Sequence, residues 1–178
     1  MITVKLRLPK KADSSPEFYK MSVEHNIMET PVPVKVRGVY ITEGTGGSPV
    51  PVVLLEDEES RIVPIFVGLS EAISIYYALV GEMTPRPMTH DLFINVLENL
   101  RATVMRVLID DLEGGTYYAR LSIKRESEEN DIDARPSDCL ALALRAKVPI
   151  EIQEKVIQES SISKSDMEKL VSLENFLQ

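Results

Sequence analysis

Arg86-Pro87-Met88-Thr89-His90-Asp91 runs straight into an apolar helix, and Arg135-Pro136-Ser137-Asp138 opens a second one that ends at Arg145. Each segment sets a guanidinium, a stiffening proline, a hydroxyl and a carboxylate at a helix entrance. Helix entrances present free backbone N–H groups and a partial positive charge, so they suit anions. The same residues also make good N-caps, and a structural role stands beside the phosphate-binding one.

The elements leading up to these helices repeat an order. Val34–Ile41, Pro51–Leu55 and Arg61–Val67 are dense in β-branched residues and are expected as strands. Pro64 removes a ladder donor, which puts its strand at an edge or a bulge. Ser70 is expected to cap the buried helix Glu71–Val80, which Gly81 stops. Thr103–Ile109, Thr116–Arg125 and a short Ile132–Ala134 then precede the helix that Ser137 or its neighbour caps. Ser70-Glu71 thus matches Ser137-Asp138, a hydroxyl followed by a carboxylate. The pattern predicts an α+β fold: a mixed or antiparallel sheet from two βββα-like halves with buried helices.

Between the halves, Leu92, Phe93, Val96, Leu97 and Leu100 form one apolar stripe on a linking helix. In Thr116–Arg125, Tyr117, Ala119, Leu121 and Ile123 alternate with Tyr118, Arg120, Ser122 and Lys124, as a sheet with one solvated face requires. Glu126–Asp131 is expected as an acidic turn and Val148–Ile152 as a last strand. The tail from Glu154 should form two amphipathic helices that pack on the domain or a partner subunit. Residues 1–30 are expected to be a flexible arm, with Met21 or Met28 as an alternative start and His25 an improbable ligand. The domain then covers 31–156 and the helical tail 157–178.

Composition narrows the function. The chain has 178 residues, 44% hydrophobic and 27% charged, as expected of one globular domain. A net charge of −8 argues against a protein that coats nucleic acid, while allowing a local basic pocket. One cysteine, Cys139, rules out an intrachain disulfide framework, and with two histidines it cannot build a typical zinc cluster. Any metal should therefore be held by carboxylates, which favours magnesium or manganese. No apolar run approaches a membrane span and the start lacks a signal-peptide plan, so a cytoplasmic protein without a membrane partner is expected. Glu43–Pro49 is glycine-rich, but a strand follows it, so it is expected to be a hairpin and not a phosphate loop.

Arg86–Leu92 and Ile132–Arg145 resemble, in order, the two signature stretches of the bifunctional nuclease domain family. Gly38-Val39-Tyr40, Pro64–Gly68 and Glu71-Ala72 also fit its pattern, and the resemblance covers roughly Val34 to Val156. It implies a compact α+β domain, usually a homo-oligomer, that cleaves DNA and RNA. Two departures stand out. Cys139 replaces the usual alanine, and the tail lacks the nucleotide-repair-type motif that some relatives append.

Phosphodiester hydrolysis needs an activated water, neutralised non-bridging oxygens and help for the leaving oxygen. His90, Asp91 and Asp138 are the candidate catalytic residues, with His90 the natural general acid or base. Arg86 and Arg135 carry the planar fork that suits phosphate. Glu71, Asp91, Asp133 and Asp138 are the carboxylates available to hold a divalent cation. All of this expects the two motifs to meet in one open cleft. The rival function is a non-enzymatic oligomeric module that binds an anionic ligand or a protein, supported by the acidic charge and by caps that need no catalysis.

Overall fold

The computed structural model of the chain describes residues 30–168 and 170–177. The proposed arm, with Met21, His25 and Met28, lies outside them save for Thr30.

Among the described residues the first half comprises β1 (Val32–Glu43), β2 (Pro49–Asp57), β3 (Ile62–Phe66) and helix α1 (Leu69–Val80). Helix α2 (Thr89–Asn99) leads to the second half: β4 (Ala102–Glu113), β5 (Thr116–Arg125), β6 (Glu128–Ala134) and α3 (Pro136–Ala146). After it come β7 (Ile150–Ile152), α4 (Glu154–Ser160), α5 (Lys164–Met167), β8 (Val171–Ser172) and α6 (Leu173–Leu177).

The strands form one mixed sheet in the order β3-β2-β1-β7-β4-β5-β6, with β8 joined to β1. Each half is an antiparallel three-stranded meander, and β7 joins them, antiparallel to β1 and parallel to β4. The two βββα halves expected from the sequence are therefore the actual architecture, arranged on either side of β7. Pro64 lies on β3, the edge strand, where its missing N–H leaves no central ladder bond unmade.

Helices α1 and α3 pack against each other on one face of the sheet, over Val53, Leu55, Val107, Ile109 and Leu121. In α3, Cys139, Leu140, Ala141 and Ala143 are buried, which explains its nearly all-round apolar sequence. A second, smaller core covers the opposite face of the first half only, where Val52, Leu54 and Ile62 meet Tyr40, Ile162, Met167 and Leu170. That difference is written into the strands. In β2, Val52 to Leu55 form an unbroken apolar run because both faces are covered, whereas β5 leaves Tyr118, Arg120 and Lys124 in water. Ser122, expected to be solvated on that face, is instead buried and bonds Asp131 on β6.

Several local expectations differ from the structure. Ser70 does not cap α1, because the helix begins at Leu69 behind Gly68 and leaves Ser70 exposed in its first turn. Likewise Arg135 is the N-cap of α3, Pro136 takes the first helical position and Ser137 is buried within the helix. The acidic stretch is mostly strand: β6 starts at Glu128 and pairs with β5 as far as Ala134. An edge strand needs only backbone pairing on one side, and its charges suit the exposed rim. The second tail helix is broken into α5, β8 and α6, since β8 pairs with β1 and buries Leu173 behind it. The stripe on α2 is divided as well. Ile94 and Leu97 pack on the core, while Leu92, Phe93, Val96 and Leu100 face outward and are exposed.

Candidate functional site

Three helix entrances converge where α1, α2 and α3 meet. In each helix the third residue is a carboxylate: Glu71 in α1, Asp91 in α2 and Asp138 in α3. A carboxylate there faces the free N–H groups of the first turn and the positive end of the helix dipole. Tertiary contacts give the three different partners.

Asp138 accepts two hydrogen bonds from Arg135, at 2.8 Å from Nε and 2.9 Å from an Nη atom. The same guanidinium reaches Glu71 Oε1 at 3.1 Å, so the N-cap residue of α3 ties together the entrances of both buried helices. Asp138 Oδ1 also lies 3.3 Å from His90 Nε2. Burial works against its charge, but the bonds from Arg135 and His90 outweigh that and hold its carboxyl below the usual range. The two carboxylates in turn raise the Arg135 pKa.

On its other side the His90 ring meets Ser74, with Nδ1 2.9 Å from Oγ. Ser74 is 2% exposed, a buried hydroxyl between Ile73 and Ile75 in α1. It is held by Arg145, which donates to its carbonyl oxygen and to Oγ, both at 3.1 Å. Because Oγ accepts from Arg145, its own hydrogen is free to point at His90 Nδ1. These partners assign the ring proton of the neutral tautomer to Nε2, facing Asp138. Arg145 is completed by Asp91, whose Oδ1 accepts from Nε at 2.5 Å. The other Asp91 oxygen accepts from the Met88 N–H at 2.7 Å, closing the start of α2. Desolvation of Asp91 is again outweighed, by Arg145 and the Met88 N–H, and its pKa falls.

The result is a chain of polar groups, Asp91–Arg145–Ser74–His90–Asp138–Arg135–Glu71, that joins the two signature motifs. Arg145 and His90 are both mostly covered, with 10% and 15% of their side chains exposed, while Arg135 stands 65% exposed at the outer end. Ser74 and Arg145 were not singled out from the sequence. The available signal was polarity out of place, a serine and an arginine on otherwise apolar helix faces.

The remaining candidates lie apart from this chain. Arg86 is exposed, and among the described residues its guanidinium makes no ion pair; only its carbonyl oxygen is engaged, by Thr84. Asp133 is exposed on β6 and lines a cleft of about 460 Å³ together with Arg135. Asp91 and Arg145 border a different cleft, of about 540 Å³, with Met88 and Lys147. The motifs therefore meet at His90 and Asp138, while their flanks open onto two separate hollows.

Glu71, Asp91, Asp133 and Asp138 do not gather as a metal cage. Both Asp91 oxygens and both Asp138 oxygens are already bonded to protein donors, and Glu71 pairs with Arg135. Among the described residues no three His, Cys, Asp or Glu side chains are grouped to hold a metal ion. The residues as arranged do not fit a preformed carboxylate site.

Comparison with known proteins covers the same part of the chain. The sequence pattern of the bifunctional nuclease domain matches residues 52–165, which span β2 to α5 and include every residue of the polar chain. Two uncharacterized proteins of Mycobacterium tuberculosis are 40% identical over 113 residues, 63% of this chain and 67% of theirs. Bifunctional nuclease 1 of Oryza sativa subsp. japonica is 29% identical over 114 residues, 62% of this chain and 34% of that protein. Bifunctional nuclease 2 of Arabidopsis thaliana is 24% identical over 122 residues, 67% of this chain and 37% of its own length. The alignments thus take in about a third of the plant proteins, in the region that carries the motifs. With its signature stretches joined through His90 and Asp138, the chain belongs to the bifunctional nuclease domain family.

Proposed function

We propose that the protein is a nuclease that hydrolyses phosphodiester bonds of DNA, RNA or both, with its chemistry at the His90–Asp138–Arg135 group. The observation that carries this is the contact between motifs: His90 from one entrance meets Asp138 from the other, beside an outward-facing guanidinium. Arg135, whose fork is held by Asp138 and Glu71, would offer its remaining Nη–H groups to a non-bridging phosphate oxygen. His90 would act at Nε2: as the imidazolium it would give that proton to the leaving oxygen, which takes the place of Asp138 on it, while Ser74 holds Nδ1 and Asp138 orients the ring beforehand. Asp91 acts at a distance, as a positioning residue through Arg145 and Ser74. Arg86 is free to take up a flanking phosphate.

A requirement for magnesium or manganese stays within the proposal, although no step is assigned to the metal because its ligand cage is not formed. The test is a nuclease assay of purified protein with magnesium, with manganese or with chelator, beside His90→Ala and Asp91→Asn. Cleavage lost in His90→Ala and reduced in Asp91→Asn supports the assignment. Cleavage unchanged in both variants sinks it.

Homo-oligomerisation belongs to the same proposal, supported by Leu92, Phe93, Val96 and Leu100 exposed along α2. Light scattering of the wild type beside Leu92→Glu/Val96→Glu tests it, and a monomer in both refutes it. A cytoplasmic location is also proposed. Cys139 is a free thiol whose pKa burial pushes up to about 12, which makes it inert. Among the described residues no helix is long and apolar enough to cross a membrane. Cell fractionation decides the compartment.

A further inference from the structure

The cleft beside Arg135 has an unusual balance of walls. Phe66 at the end of β3, Tyr117 and Tyr118 on β5, Asp133, Arg135 and Pro136 enclose about 460 Å³. Two of the rings stand out in water, Phe66 at 60% and Tyr118 at 43% exposure. Arg135 is opposed by Glu71 and Asp138 in direct contact and by Asp133 on the same wall. Negative charge therefore exceeds positive, and the cleft cannot draw in a polyanion by its phosphates alone. What it offers instead is flat apolar surface with polar groups at the edge. Asp133 makes no ion pair among the described residues, and its carboxylate oxygens are hydrogen-bond acceptors.

A neutral planar ring with N–H donors on its rim meets those conditions. We propose that this cleft seats an unpaired nucleobase of a single-stranded DNA or RNA segment, stacked on Phe66 and Tyr118. The adjoining phosphate would then lie at the Arg135 turn. This rests on the nuclease assignment above and names its substrate class. A base inside a duplex is stacked on both faces and paired along its edge, so it cannot enter. Single strands are therefore preferred, and the affinity comes from stacking and depends only weakly on salt.

The test is fluorescence anisotropy with a short labelled oligonucleotide, single-stranded or annealed to its complement, over a range of salt, alongside cleavage of both. The single strand should bind roughly tenfold tighter than the duplex with a shallow salt slope, and Phe66→Ala and Tyr118→Ala should each weaken it roughly tenfold. Tyr118→Phe, which keeps the ring, should bind like the wild type. Because both rings are exposed, thermal melting should show the variants folded. Equal binding of duplex and single strand, a steep salt slope, or alanine variants that bind normally would overturn the base seat. If ring-dependent binding persists but nothing is cut, the base seat stands and the nuclease assignment fails. If cutting persists in both alanine variants with KM unmoved, the reverse holds.

Discussion

The two halves of this fold share a plan and differ at their helix entrances. In the first, Gly68 precedes α1, and a methyl group there would run into Glu71 Oε2. In the second, Arg135 occupies the equivalent position before α3 and holds both Asp138 and Glu71. The first half surrenders its side chain so that its carboxylate can fold back, and the second supplies the cation for both. The halves also differ behind the sheet. The tail covers β1 to β3 through Ile162, Met167 and Leu170, while β5 keeps Tyr118, Arg120 and Lys124 in water. A duplicated scaffold can thus cover the outer face of one half and leave that of the other in water.

The sharpest way to break that contrast is to compare Asp138→Asn with Glu71→Gln. If only the second half carries chemistry, Asp138→Asn should lower kcat by about 100-fold or more. Glu71→Gln, at the matching position, should stay within about fivefold, as for a partly solvated ion pair. Equal losses in single-turnover assays would show that both entrances act together.

Stability should divide the other way. Arg61 bonds Asp57 at 2.6 Å and Glu154 at 2.6 and 3.0 Å, fastening α4 to the turn between β2 and β3. Arg61→Ala leaves the buried Asp57 carboxylate with backbone N–H donors only and no cation, and should cost roughly 2 kcal/mol in urea denaturation. Arg120→Ala, which breaks an exposed pair with Asp110 in the second half, should cost less than about 0.5 kcal/mol. A reversed ranking would show that the covered half is not the better anchored one.

Acid should expose a smaller effect. Desolvation of Asp57, Asp91 and Asp138 is outweighed by hydrogen bonds from Arg61, Arg145 and Arg135, so each carboxyl titrates below its ordinary value when folded. Such groups bind protons more readily in the unfolded chain. Their stabilisation is complete above the unfolded pKa of about 4 and is lost as pH falls through the lower folded values. Denaturation midpoints should fall with pH in that range, less steeply for Asp91→Asn. An identical slope would remove Asp91 from the linkage.

The smallest expected change is Gly68→Ala. Its φ of −70° suits any residue, and the atom it would meet is the end of a flexible side chain. Stability should shift by less than about 0.5 kcal/mol, while Glu71 moves away from Arg135. Glu71 carboxyl shifts in NMR spectra report that displacement, and an undisturbed signal would refute the close approach.

Much of this was legible before any coordinates. β-branched runs announced the strands, and the alternation of β5 announced that one of its faces is largely solvated. Pro64 marked the edge, and Gly81, with φ of 72°, ends α1 as expected. Cap residues were harder to place. Ser70 and Ser137 have the right chemistry for caps, but Gly68 and the Arg135-Pro136 pair set where the chain turns. The α2 stripe was visible, yet its direction was not, because Ile94 and Leu97 compete with Leu92 and Phe93 for the core. Ser74 and Arg145 escaped notice because a single polar residue on an apolar helix becomes informative only once its partner, 71 residues away in sequence, is known.

The sequence by itself determined the βββα repeat, the family motifs and the identity of the groups at each helix entrance. These follow from local periodicity and from the few residue types able to cap or turn a chain. Only the tertiary structure decided that β7 joins the halves, that His90 lies between Ser74 and Asp138, and that Arg135 serves two helices. Those facts depend on side chains meeting across long separations, where packing and charge pairing select among arrangements that local preference leaves equal.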